Sequence, residues 1–286
     1  MAPDETTLRR ELARLAVAEY GPPAVRLRDI HALSARFGLS VRAVELAALE
    51  EGLVPLRYVR NLGTVGLEGQ ARLLQACVAV VGLGGLGGYV AEALARMGVG
   101  RLILLDGDVF EDHNLNRQLL SAEDALGLPK AEAARARLAL INRATEVEAR
   151  RVTLTAENLP DLLAGAQVVV DALDRLPTRL MLQRGAQALG IPLVHGSIAG
   201  FMGQVMTIFP GDPGLIGLYG WEELPERGLE AELGTPAATP MAVAAWEAQE
   251  VVKIIVGRGE PLRGRLLVLD METGRCEMLR LGPEPR

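Results

Sequence analysis

The chain has 286 residues, enough for one large α/β domain with a small appendage. Its net charge of -6 is interspersed along the sequence and aromatics make up only 3%, so nothing marks a nucleic-acid footprint. Apolar residues reach 49% and mean hydropathy is +0.20, yet no apolar run approaches the roughly 18–20 residues that span a bilayer. Two cysteines, Cys77 and Cys276, are too few for a disulfide framework or a four-cysteine zinc site. The start, MAPDETTLRRELARL, is charged and amphipathic rather than an apolar secretory leader. A cytoplasmic protein without nucleic-acid or membrane partners is expected.

Residues 5–20 and 26–52 carry helical patterns. In the second, Ser40 is placed to cap a helix. Val41, Val44 and Ala48 form one apolar stripe, and Leu46, Leu49 and Leu53 a second beside it. With IHALSARFG before it, this stretch has the outline of a helix-turn-helix, but its charge is not notably basic. A helical prefix packed on the main domain is the favoured reading. From residue 77 strands and helices alternate. CVAVVG, RLILLD, VEARRVTL, QVVVDAL and IPLVHGSI read as strands, and GGYVAEALARMGVG, KAEAARARLALINR and RLMLQRGAQALG as helices. That alternation predicts a doubly wound, Rossmann-like α/β fold with a parallel core. Beyond residue 200, GQVMTIF reads as a further strand and 210–240 as a long connection rich in Gly, Pro and Glu. AVAAWEAQEVVKIIVG is then a helix, and RLLVLDMETGRCEMLRL a hairpin turning at ETG, so the sheet should end in antiparallel strands.

Gly82, Gly84 and Gly87 spell G-x-G-x-x-G between a strand and a helix, and Asp106 ends the next strand. Glycine lets phosphate approach the backbone, the helix N-terminus favours an anion, and the carboxylate suits ribose hydroxyls. The loop does not separate NAD from ATP. Splitting ATP needs cations over the departing phosphates, and Arg117 and Lys130 follow the acid. Lys130 starts a helix, where the dipole prefers an acid. In VVVDALDRLPTR, Asp174 lies just past a buried strand, placed to hold Mg²⁺ through one carboxylate plus phosphate oxygens. Asp171 reads as structural and Arg179 as an orienting partner of these acids.

RYVRN (57–61), the glycine segment through LDGD, NLNRQ (114–118), GLPKAEAARARL, DALDRLPTR, IPLVHGSIAGFMGQV and AQEVVKIIVG resemble, in order, segments of the ThiF/MoeB/HesA adenylating enzymes, relatives of the ubiquitin-activating enzymes. The resemblance covers about residues 57–286. It implies an ATP-binding adenylation domain there and leaves 1–56 as an N-terminal helical extension. The implied reaction is ATP-dependent adenylation of the C-terminal glycine of a small ubiquitin-like sulfur-carrier protein ending in Gly-Gly, with Mg²⁺, releasing pyrophosphate. It serves sulfur transfer in molybdopterin, tungstopterin, thiamin or a related synthesis. Carried over by position, Gly85 touches the nucleotide and Asp106 holds the ribose. Asn114, Arg117 and Lys130 surround the phosphates, and Asp174 handles Mg²⁺. The matched segments add Asp108, Asn116, Gln118 and Arg175 to the nucleotide lining, with His113 either lining it or solvated. Arg60 fills the position that, in dimeric members, reaches the partner's site, so the resemblance implies a homodimer completed in trans.

Many relatives carry two C-x-x-C pairs for zinc; the matching stretches here hold no cysteine, so zinc is not expected. Residues 210–240 also lack the cysteine that some relatives use for a covalent carrier intermediate, so the reaction is expected to stop at the acyl-adenylate. Cys77 reads as a core residue, His195 as a satisfied polar residue at the crevice rim, and Trp221 and Trp246 as packing anchors. Activation of a non-protein carboxyl or a tRNA group, a non-catalytic nucleotide-binding scaffold, and an NAD oxidoreductase are the alternatives.

Overall fold

The computed structural model describes residues 5–220 and 228–281, so Trp221 lies outside the described residues. The chain opens with α1 (Glu5–Leu15), β1 (Ala24–Val25), α2 (Leu27–Phe37), α3 (Val41–Glu50) and β2 (Val54–Pro55). A 3-10 helix (Leu56–Asn61) leads into α4 (Leu62–Gln75), then β3 (Cys77–Val81), α5 (Gly87–Met97), β4 (Arg101–Asp106), α6 (Lys130–Ile141) and β5 (Glu146–Arg151). Next come α7 (Leu159–Leu162), β6 (Val168–Asp171), α8 (Leu176–Ala188), β7 (Leu193–Ala199), β8 (Met202–Ile208), α9 (Gly214–Tyr219) and α10 (Glu230–Leu233). The chain closes with α11 (Ala238–Val256), β9 (Arg265–Asp270) and β10 (Arg275–Arg280).

The sheet runs β10-β9-β8-β7-β6-β3-β4-β5. Strands β7 to β5 in that order are mutually parallel, and β8, β9 and β10 antiparallel, as the sequence pattern requires. Central strands are apolar on both faces because helices cover both. Val78, Val80, Leu102 and Leu104 pack under α4, α5, α6 and α11. Ala79, Val81, Ile103 and Leu105 face α7, α8 and α9. At the far edge β10 is exposed at every residue.

The prefix differs from its sequence reading in three ways. Helix α1 stops at Leu15 because Val17 turns to pair with Ala24, each amide donating to the other's carbonyl at 2.8 Å. Residues 26–52 part into two helices at the Ser40 cap, and the end of the first is set by a glycine that the pattern did not single out. Gly38 ends α2 in the left-handed region (φ 65°), and the Ser40 hydroxyl then accepts the Ala43 amide at 3.1 Å. Third, β1 and β2 form a two-residue parallel ladder. The two apolar stripes of α3 have separate uses: Val44 and Ala48 pack inside the prefix, while Leu49 meets Leu74 and Ala144 of the main body. Helix α4 was not anticipated; three glycines dilute its pattern. One of them is there for contact, since a Cβ on Gly69 would lie 2.8 Å from Val256 Cγ1 of α11. Residues 210–240 are not a bare connection: α9 buries Leu215, whose amide donates to Gln183 Oε1 at 2.8 Å. Trp246 is 39% exposed, so it is no packing anchor.

A buried polar chain bolts prefix to body. The Tyr58 hydroxyl donates to Glu45 Oε2 at 3.0 Å and accepts from Asn142 Nδ2 at 2.8 Å. That Nδ2 also donates to the Ala95 carbonyl at the end of α5. Burial pushes the Glu45 carboxyl up to about 7, against the opposing pull of the Arg57 guanidinium and the Tyr58 hydroxyl. A raised acid pKa means the fold favours the protonated form. Its contribution is full below the ordinary carboxylate range and is lost as pH climbs through about 7. The wild-type melting temperature should therefore fall between pH 5 and 8, an expected loss of about 3 kcal/mol from this group alone. Glu45→Gln should flatten the profile in calorimetry.

Candidate active site

Strands β3, β4 and β6 end level, with Val81 paired to Leu105 on one side and Asp171 on the other. The chain leaves β3 through α5 on one face and β6 through α8 on the opposite face. The two connections part there and open a crevice.

Close backbone approach shapes the turn after β3. A Cβ on Gly82 (φ 89°) would sit 2.6 Å from the Ala172 carbonyl oxygen, and one on Gly87 would sit 1.8 Å from the Gly82 carbonyl oxygen. Those two glycines are packing requirements. Gly84 and Gly85 are different. A Cβ on Gly84 would meet Gln118 Nε2 at 3.6 Å, and one on Gly85 would meet Pro240 Cβ at 3.5 Å and Arg117 Cγ at 3.6 Å. These are ordinary contacts, so the fold itself does not demand glycine there. What remains is a cradle that side chains would fill, at the start of α5, whose first amides have no partner within the helix. Such a cradle fits a phosphate.

Asp106 ties β4 to this turn: Oδ2 accepts the Leu83 amide at 2.7 Å and Oδ1 the Asp108 amide at 2.8 Å. Burial pushes its carboxyl up, opposed by the Asp108 amide, the Lys130 ammonium and the Leu83 amide. Lys130 is buried at the first position of α6, its Nζ donating to Asp108 Oδ2 at 3.2 Å. The adverse dipole at that helix end is offset by these two carboxylates. Arg117 lies over Gly85, its Nη1 donating to the His113 carbonyl at 2.9 Å and to Asn116 Oδ1 at 2.8 Å. Partial burial pulls the Arg117 guanidinium down, and the Asp174 carboxylate opposes this.

Gln118 is buried with its Nε2 toward Gly84, and among the described residues its Oε1 has no hydrogen-bond partner. Asn114 is buried but engaged locally, its Oδ1 accepting the Glu111 amide at 3.0 Å. His113 is exposed, 3.4 Å from Glu111. Asp174 and Arg175 are exposed in the β6–α8 turn. Arg60 sits elsewhere, exposed on the 3-10 helix, an element packed on α4 and β2. Among the described residues no group of three or more His, Cys, Asp or Glu could hold a metal. A lone exposed Asp174 fits a cation bound mainly by a substrate's phosphates. No described helix is long and apolar enough to cross a membrane.

Beside this edge opens a cleft of about 490 Å³, between the β7–β8 turn and residues 233–236. Asn116 is part of its wall and donates to the Thr235 carbonyl at 3.1 Å; the Gly200 amide donates to the Gly234 carbonyl at 2.8 Å.

The ThiF family profile matches residues 58–286. The chain belongs to the ThiF family. It is 42% identical over 219 residues to the SAMP-activating enzyme E1 of Haloferax volcanii, covering 75% of this chain and 80% of that protein. It is 39% identical over 241 residues to the sulfur carrier protein adenylyltransferase of Thermus thermophilus, covering 80% of this chain and 88% of that one. Among solved structures, the microcin C7 biosynthetic enzyme MccB in complex with N-formylated MccA shares the fold, with a TM-score of 0.69 and 22% identity. That likeness covers 98% of this chain and 89% of MccB, so the N-terminal extension is included.

Two features of this ThiF-family site were not read from the sequence. His195 is buried behind the crevice at 1% exposure rather than set at its rim, because its register on β7 places it opposite Asp171 inside the sheet. The start of α11 reaches Gly85 through Pro240, a contact no local pattern announces. The two kinds of glycine predict two phenotypes. Gly87→Ala should lose at least ~1–3 kcal/mol of stability through overpacking. Gly85→Ala should keep its melting temperature yet weaken binding of the fluorescent nucleotide mant-ATP, measured by titration.

Proposed function

We propose that this chain adenylates the C-terminal glycine of a small ubiquitin-like sulfur-carrier protein ending in Gly-Gly, using ATP and Mg²⁺. The supporting observation is Arg117 lying over the bare backbone of Gly85, beside an open Gly84, with the Asp174 carboxylate acting on its charge. The names of the Haloferax and Thermus relatives support the choice of substrate class. In this reading residues 57–286 form the adenylation domain and 1–56 an extension, in a cytoplasmic homodimer.

A carboxylate oxygen of the carrier attacks the α-phosphorus of ATP. The bond between the α-phosphorus and its bridging oxygen breaks, and pyrophosphate leaves with the electron pair. The nucleophile is already an anion, so no side-chain base is required; the protein contributes position and charge. Arg117 and Lys130 neutralise the phosphates, Gly84 and Gly85 admit them, and Asp106 accepts from ribose hydroxyls. Asp174 holds Mg²⁺, which supplies further charge on the phosphate oxygens. Gln118, Asn116, Asn114, Asp108, His113 and Arg175 complete the surround. The cleft beside Asn116 is the route for the carrier's terminus, and Arg60 serves the partner's site.

The test is pyrophosphate–ATP exchange, which should appear only with a Gly-Gly carrier. Arg117→Ala and Asp174→Ala should each lower it by about 100-fold or more. Exchange driven by tRNA or a small acid, and indifferent to carriers, would replace this reading. Mixing Arg60→Ala with Asp174→Ala chains should restore exchange that neither shows alone, because the mixed dimer regains one intact site.

A further inference from the structure

Behind the crevice lies a buried cluster that the adenylation chemistry leaves unused. Asp171 closes β6, His195 lies opposite it on β7, Arg179 rises from the first turn of α8, and Glu247 comes from α11 on the other face. All four are buried. His195 Nδ1 is 2.7 Å from Asp171 Oδ2. Burial holds the ring toward its neutral form, with the Asp171 bond opposing and Arg179 assisting. The Asp171 carboxylate, as an acceptor, assigns the ring proton to Nδ1, and Arg179 Nη1 lies beside the ring, 3.3 Å from Nδ1 and 3.4 Å from Nε2. Glu247 lies against Gly196, and burial raises its carboxyl well above the ordinary range, so it does not compete as an anion for Arg179.

The cluster converges on a single peptide unit. Asp171 Oδ1 accepts the Leu173 amide at 3.1 Å, and Arg179 Nη2 donates to the Leu173 carbonyl. Arg179 Nη1 donates as well to the Gly196 carbonyl at 3.0 Å, anchoring the turn to β7. The Ala172 amide is taken by the Val81 carbonyl at 2.9 Å. Leu173 immediately precedes Asp174. A turn has no ladder to fix it, so both polar groups of this residue are fixed by side chains instead.

We propose that Asp171, His195 and Arg179 form a positioning unit for the phosphate site, fixing the peptide before Asp174 where the turn packs on Gly82, and so fixing where that carboxylate leaves the backbone. His195 acts through Asp171, holding the carboxylate in the rotamer that meets the Leu173 amide. This rests on the reading that Asp174 serves a bound nucleotide. A cluster that merely filled a polar hole under the sheet would not need both groups of Leu173.

The test uses the full chain with His195→Leu, which removes the donor, and His195→Asn, which keeps an N–H near the Nδ1 position. Two readouts are taken: amide hydrogen exchange of residues 172–175, and mant-ATP binding titrated with Mg²⁺ or measured in EDTA. His195→Leu should speed exchange in 172–175 and raise the Mg²⁺ needed for half-maximal binding by about tenfold, with binding in EDTA unchanged. His195→Asn should behave like wild type in both. Equal weakening with and without Mg²⁺, or failure of His195→Asn to rescue, overturns the proposal. If His195→Leu does not fold, Arg179→Lys takes its place. It keeps the charge but cannot reach the Leu173 and Gly196 carbonyls together, and the same outcomes apply. Unchanged exchange beside normal mant-ATP binding overturns the clamp alone, whereas wild-type protein that binds no mant-ATP overturns the nucleotide reading itself.

Discussion

Backbone packed on backbone at Gly82, Gly87 and Ala172 brings the end of β3 within van der Waals reach of the end of β6. A single methyl at Gly82 or Gly87 would separate them. Because they touch, the amides at the start of α5 and the turn bearing Asp174 share one edge. The remaining parts then need only modest reach: Arg117 folds back over Gly85 from the loop after β4, and Lys130 meets Asp108 from the start of α6. Asp106 belongs to the same economy, since its two oxygens already hold Leu83 and Asp108 in place. A carboxylate that fixes the glycine turn is held in place by the fold itself, which in the proposed ribose-binding role limits the ordering cost of binding.

Charge is handled differently in the two halves of the molecule. At the crevice, Lys130 and Arg117 are balanced by Asp108 and Asp174, both exposed acids that a solvated polyanion can displace or share. At the junction with the prefix, Glu45 is fully buried among Tyr58, Arg57 and Asn142, where no ligand reaches. The first arrangement is exchangeable and the second fixed. The expected pH dependence of stability therefore belongs to the junction with the prefix, whereas the crevice acids stay open to solvent.

The sheet was legible because its central strands are buried on both faces and so appear as unbroken apolar runs. The glycine fingerprint was legible because it stood between such a run and a helix. Helix α4 was hidden by Gly63, Gly66 and Gly69; Gly66 kinks it at φ 70°, and Gly69 exists for a helix contact that sequence spacing does not reveal. DALD presents two acids three positions apart, and their places relative to the strand end tell them apart in the sequence. The strand register turns Asp171 inward to His195, and Asp174 is exposed beyond the strand end. The break within residues 26–52 was legible at Ser40, whose hydroxyl caps α3, whereas the left-handed Gly38 that ends α2 left no such mark. The ladder of β1 and β2, two residues long, is too short to leave any period.

The last strand has a consequence of its own. β10 closes the sheet with all six residues exposed, and among the described residues no further strand pairs with its outer edge. Such edges invite other strands and, eventually, fibrils. Arg275, Glu277 and Arg280 interrupt this edge with charge of both signs, and Met278 and Leu279 are the apolar pair between them. Colloidal behaviour at high concentration thus hinges on a handful of ionised groups at the rim, far removed from anything the nucleotide touches.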